Sequence, residues 1–291
     1  MKVGITLPAM VPGVDTDTIL EWARRADAGP FSSIALGERL LWPGYDLTVT
    51  LAAAAAVTRR VRIVSTVVVL PLHSAVVVAK QAATLDCLSH GRLTLGVGIG
   101  GRDDDFRAAG APFARRHERL EEQVAQMRHI WRGQPAGPGL AHVGPLPAQP
   151  GGPEVLAGSV FPAAVRRVAR WADGLLAWSF APDIPSLTET YRIMTDGWRD
   201  AGRPGAPRFI AGFWYALGPK AEDRIEQFAR RYLAYFGDDN AKRTAKSITT
   251  HSPDRIKDIL AALADMGTDE AIPVPVSGDL AQLELLAELV A

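Results

Sequence analysis

RIVSTVVVLPLHSAVVVAKQAATLDCLSHGRLTLGVGIG, residues 62–100, spells out one strand–helix–strand unit. Arg62 to Leu70 is rich in Val, Ile and Thr, the composition of a parallel strand buried on both faces. Pro71 ends that run, and Ser74 to Leu88 reads as a helix. Leu93 to Ile99 is a second β-rich run. Moving outward, Val3–Leu7 and Ser33–Gly37 are further strands, with a helix from Asp15 or Thr16 to Ala28 and an Ala-rich helix over Leu47–Thr58. A long helix from Ala114 to Arg132 closes this half. The second half repeats the alternation. Strands are expected at 154–157, 174–178, 208–217 and 270–276, with helices at 162–171, 182–200, 220–236, 253–266 and 280–290. Eight strands separated by helices predict an α/β fold, a (β/α)8 TIM barrel. Pro273 and Pro275 fit a central strand poorly.

The 291 residues suit one such barrel, so a single domain over 1–291 is expected. Residues 133–153, rich in Gly, Pro and Ala, read as an excursion from it rather than a linker. Lys plus Arg and Asp plus Glu are equal at 32 each, which leaves no electrostatic footprint for nucleic acid or an anionic membrane. The lone Cys87 excludes an internal disulfide and fits a reducing, cytoplasmic setting. Pro8, Pro12 and Gly13 interrupt the apolar N-terminus, so no signal peptide is expected. The six histidines show no metal-ligand spacing.

The active site of such a barrel lies where the strands end. The residues there are Glu38, Arg39 and Trp42; Val67, Val68 and His73; Gly98, Gly100, Gly101 and Arg102; Ala157, Gly158 and Ser159; Trp178 and Phe180; and Trp214. This rim is aromatic and glycine-rich, with one acid–base pair, Glu38–Arg39, whose plain alternative is a surface salt bridge. Gly96 to Gly101 imitates a dinucleotide fingerprint, but its spacing fails and Asp103–Asp105 would repel a pyrophosphate. Glycines that admit a flat ring to the fourth strand fit better. Gly158 and Ser159 lead into a helix start whose N–H groups suit a phosphate.

Several segments together resemble the bacterial luciferase-like monooxygenase family. They are Lys2–Pro8; Val61–Pro71; Ala79–Asp86; Ser89–Gly100 with Asp105, Phe106 and Gly110; and Pro150–Ser159 with Ala163–Gly174. The resemblance implies a barrel that binds reduced flavin mononucleotide (FMN), or in one branch the deazaflavin coenzyme F420, at the strand ends. It implies a phosphate site at Gly158 and Ser159, with Ala157 beside them among the cofactor-binding residues, and a non-proline cis peptide under the ring, expected at Val67–Val68. Some deazaflavin-using relatives carry a His where this chain has Arg39, which tilts the expectation towards FMN. A family aromatic segment after the fourth helix is missing, which implies a more open substrate side.

The resulting expectation is a flavoprotein monooxygenase that uses reduced FMN and O2 on a small-molecule substrate. A separate flavin reductase and a homodimer formed through helices are expected with it. Glu38, Arg39 and His73 are the candidate catalytic groups, and Trp42, Trp178, Phe180 and Trp214 the candidate pocket walls. The alternatives are an F420-dependent dehydrogenase or reductase, and a non-catalytic flavin-binding protein.

Overall fold

The computed structural model describes residues 1–291. Its strands are β1 (Lys2–Val3), β2 (Ile5–Thr6), β3 (Ser33–Leu36), β4 (Arg62–Ser65), β5 (Val68–Val69), β6 (Leu93–Gly98), β7 (Glu154–Gly158), β8 (Gly174–Trp178), β9 (Arg208–Tyr215) and β10 (Glu270–Pro275). The helices are α1 (Thr16–Ala28), α2 (Leu47–Val57), α3 (Ala75–Leu88), α4 (Asp103–Ala108), α5 (Arg116–Trp131), α6 (Pro162–Val168), α7 (Ile184–Asp200), α8 (Ala221–Leu233), α9 (Asp238–Ser247), α10 (Pro253–Asp265) and α11 (Ala281–Val290). No helix is long and apolar enough to cross a membrane.

All strand pairs are parallel. The order runs β1-β10-β9-β8-β7-β6-β4-β3-β2, with β5 also on β6. Since β1 and β2 are halves of one N-terminal segment, pairing β1 with β10 and β2 with β3 closes the ring. The halves β4 and β5 likewise make one third strand. The eight expected strand positions form a closed (β/α)8 barrel.

Local sequence sets the boundaries. Asp15 caps α1 by accepting from the Thr18 N–H at 2.7 Å, and Asp46 caps α2 through the Val49 N–H at 2.8 Å. Pro273 and Pro275 lie in β10 beyond its last pair with β1, and the Val276 N–H then donates to Tyr215 O. Three expectations need correction. The run 62–70 is broken after Ser65, and its cis peptide is Thr66–Val67, one bond earlier than Val67–Val68. The helix expected over 220–236 ends at Leu233 and a 3-10 turn, Ala234–Phe236, follows. Two helices, α4 and α9, were absent from the sequence reading: α4 is six residues long, and α9 is polar on most positions.

Alternation along the strands builds layers inside the ring. Ala35, Val64, Leu156, Leu176, Ile210 and Ile272 pack together as the middle layer, with Val67 above them. At the N-terminal end the interior is ionic. Arg208 pairs with Glu154 and, at 2.6 Å, with Glu270, whose other oxygen accepts from Ser32 and Ser33 at 2.6 Å. Residues 133–153 contain no helix or strand beyond the Pro135–His142 bridge, and they are fixed at this same end. Gln149 donates to the Asp86 carboxylate through its backbone and side chain at 2.8 and 2.7 Å, and to Leu93 O at 2.8 Å. The excursion therefore lies away from the strand ends that carry the site.

Candidate functional site

At the strand ends the inward positions fall on Gly37, Gly98, Gly158 and Gly212. The Val67 side chain accounts for two of them, Gly98 and Gly158, while the Trp178 ring lies 3.0 Å from where a Cβ on Gly212 would stand. A Cβ on Gly98 would meet Val67 Cγ2 at 2.6 Å, and one on Gly158 would meet Val67 Cγ1 at 2.9 Å. A Cβ on Gly37 would press on Thr66 O at 2.9 Å. Backbone and one small side chain thus make a low floor across the barrel mouth, which no bulkier residues would leave.

Aromatic rings stand over this floor. Trp178, Phe180 and Trp214 contact one another, with centroids 4.7–5.9 Å apart. Trp42 joins through Tyr232 and Phe228, at 5.2 and 6.3 Å, and its indole N–H donates to Met10 O at 2.8 Å. The four expected wall residues therefore belong to one cluster. Phe228 and Tyr232 come from α8, which packs across the mouth with α9 and carries its own apolar core from Ile225, Leu233, Ala241 and Ala245. Sequence reading missed this cover. Its signal was present: Ile225, Phe228, Ala229, Tyr232 and Leu233 repeat at helical spacing on α8. The open substrate side expected from the missing family segment is corrected here, since α8 supplies aromatic cover from a different point in the chain.

Glu38 and Arg39 do not pair with each other. Glu38 turns to the outer flank of the third strand, where Oε1 lies 2.7 Å from His73 Nε2 and Oε2 accepts from the Val69 N–H at 2.6 Å. The turn carrying His73 is held by α5, as Gln123 donates to His73 O at 2.7 Å and Arg119 to Pro71 O at 2.5 Å. The carboxylate beside it pushes the His73 imidazole above its ordinary pKa, against the opposing effect of burial. Glu38 and His73 line a cavity of about 390 Å³ between α2, α3 and the outside of the wall, together with Leu51, Val68, Leu72 and Val78. This cavity is separate from the glycine floor.

Arg39 turns the other way, into the aromatic cluster. Its guanidinium lies 4.3 Å from the Trp42 ring centroid and 4.8 Å from that of Tyr232, and it donates to Tyr232 O at 3.1 Å. Burial, and then the charge of Arg102, push its pKa below the ordinary guanidinium value. Arg102 does not face the phosphate-type loop at Gly158. It stacks over Tyr232, Tyr235 and Phe236.

The remaining candidates divide. Gly100 has φ +69° and packs on Val69 and Phe106, so its role is a turn beside the floor. Gly101 is exposed, with open space where a side chain would be. Ala157 is buried in the layer between wall and helices. Gly158 borders the floor and Ser159 is half-buried beside it. Val160 and Phe161 after them are exposed, so this corner is accessible.

A closed parallel barrel with an aromatic mouth defines an α/β-barrel enzyme scaffold, and comparison with known proteins gives it a family. The model of the luciferase-like monooxygenases matches residues 1–279. The chain belongs to that family. An uncharacterised protein of Mycobacterium tuberculosis (strain ATCC 25618 / H37Rv) is 37% identical over 176 residues, 57% of this chain and 60% of that protein. The chain thus aligns with less than two thirds of the length of that relative. An F420-dependent secondary alcohol dehydrogenase superposes with TM-score 0.80 at 18% identity, over 99% of this chain and 98% of that one. The oxygenating constituent of 3,6-diketocamphane monooxygenase from Pseudomonas putida, in complex with FMN, superposes with TM-score 0.73 at 17% identity, over 100% and 98%. At these identities the two structures share the fold with this chain.

Proposed function

We propose that the protein is a monooxygenase that binds reduced FMN on the glycine floor and oxygenates a small organic substrate beneath the aromatic cover. The floor around Val67 carries this reading. Because Gly98 and Gly158 carry no side chains, Val67 settles between them and the floor stays low, and a flat ring system is the ligand shape that such a floor accepts. Gly158 and Ser159, at the accessible corner, would hold the phosphate, the anionic end that backbone N–H groups favour. When bound, reduced flavin supplies the electrons and the reaction with oxygen. The chain's own part is to bind, orient and exclude water. Trp42, Trp178, Phe180 and Trp214 form the dry wall, Arg39 sets its polarity, and Glu38 fixes the Val67–Val69 segment by accepting from the Val69 N–H.

A separate reductase would deliver the reduced flavin. A homodimer is supported by apolar side chains exposed on α2 and α3: Val49, Val77 and Leu88. The competing reading is an F420-dependent dehydrogenase or reductase. It gains from the His73–Glu38 pair, which holds a proton near the third strand. It is weakened because the pair lines the cavity behind the wall. Equilibrium titration with reduced FMN and reduced F420 without oxygen separates the two. A protein that binds flavin but turns over no substrate would be the non-catalytic flavin binder.

A further inference from the structure

Arg39 and Arg102 reach the mouth from different loops, after β3 and before α4. Their guanidinium groups converge on one acceptor: both donate to Tyr232 O, at 3.1 and 3.3 Å. Both lie against the same ring, 4.8 and 5.3 Å from the Tyr232 centroid. Neither has a carboxylate within 4.0 Å. Arg39 Nε and Arg102 Nη1 are buried without any hydrogen-bond partner. The nearby acids are committed elsewhere: Asp105 accepts from the Leu41 N–H at 2.8 Å, Asp104 from the Asp105 N–H at 2.9 Å, and Asp103 pairs with the Tyr235 hydroxyl.

Two like charges held together and partly desolvated are unfavourable unless an anion joins them. One carbonyl shared between two guanidiniums does not supply that charge. We propose that Arg39 and Arg102 form an anion subsite that takes the carboxylate of the substrate. A carboxylate accepts from guanidinium groups through both its oxygens. The flanking Trp42 and Tyr232, with Trp214 beyond them, suit an apolar, aryl-sized body behind that carboxylate. The substrate class is therefore an aromatic or similarly apolar carboxylic acid. This rests on the mouth being the substrate side of the proposed flavin site.

The test uses cofactor-free protein, so its failure is distinct from failure to bind flavin. Benzoate and benzyl alcohol, the same ring with and without the charge, are titrated against tryptophan fluorescence. Saturable benzoate binding is expected, at least tenfold tighter than benzyl alcohol. Arg102→Gln should weaken benzoate at least tenfold, and Arg102→Lys should recover most of that loss. Arg39→Gln should act in the same direction wherever circular dichroism shows a folded protein. Riboflavin and FMN are then added in turn. Displacement of benzoate by FMN but not by riboflavin would assign the subsite to the cofactor's phosphate and overturn the substrate assignment. Equal binding of the two probes, no binding of either, or unchanged affinity in folded Arg102→Gln would overturn the proposal.

Discussion

Glu38 Oε1 lies 2.7 Å from His73 Nε2, while the neighbouring Arg39 points into the aromatic mouth. Two adjacent residues thus serve different sides of the barrel wall. Glu38 ties the segment between β4 and β6 to the α3 side, and Arg39 belongs to the cover.

The Glu38–His73 bond carries a pH signature. The His73 pKa is raised above the ordinary imidazole value of about 6.5. The bond's contribution to stability is then fully present below that ordinary value and is lost as pH rises through the raised one. His73→Gln should lower the midpoint of thermal unfolding most near pH 6, with the deficit shrinking towards pH 9. A deficit that does not change with pH would contradict this. Glu38→Gln should cost roughly 1.5 kcal/mol, the low end for a hydrogen bond to a charged group.

The floor makes a packing prediction. Gly98→Ala places a methyl 2.6 Å from Val67 Cγ2 and should cost about 1–3 kcal/mol in urea unfolding. Val67→Ala removes that obstacle. The double variant should therefore be more stable than the two single effects summed, as coupled neighbours are. Strict additivity would show that the two residues do not meet.

Ser159 separates the phosphate from the ring. Ser159→Ala should weaken FMN about tenfold, the loss of one charge-assisted hydrogen bond, and leave riboflavin unchanged. Competitive fluorescence titration reads both ligands. Equal loss for the two would remove Ser159 from the phosphate site.

The ionic floor at the opposite end is structural. Glu270 is buried and bonded to Arg208, Ser32 and Ser33. Glu270→Ala leaves Arg208 with Glu154 as its one carboxylate partner and should cost about 3–5 kcal/mol, as breaking a buried pair does. Flavin affinity of the folded variant should stay the same, since this layer lies at the far end of the strands.

The barrel was legible because strands such as Leu93–Gly98 announce themselves through apolar runs and α1 through its Asp15 cap. The four aromatic candidates were legible because each lies at or past the end of a strand: Trp178 closes β8, Phe180 follows it, Trp214 is the last residue but one of β9, and Trp42 sits in the loop after β3. What stayed hidden depends on side-chain direction. Nothing in the dipeptide Glu38-Arg39 tells that one side chain turns outwards and the next into the mouth. That choice is made by the Val69 N–H and by Tyr232, residues 31 and 193 positions away. The pairing of His73 with Glu38 stayed hidden because the two residues lie on different loops, 35 positions apart. The cover from α8 was missed because its apolar stripe looks like any helix packing on a wall. The break between β4 and β5 was missed because Arg62–Leu70 is uniformly β-forming.

The central claim, reduced flavin on the floor around Val67, is tested most directly by anaerobic titration of the protein with reduced FMN and, separately, with reduced F420. The account predicts saturable binding of reduced FMN, weakened in Gly98→Ala, and oxygen-dependent product formation once air is admitted with an aromatic acid present. Binding of reduced F420 alone, or of neither cofactor, would contradict it.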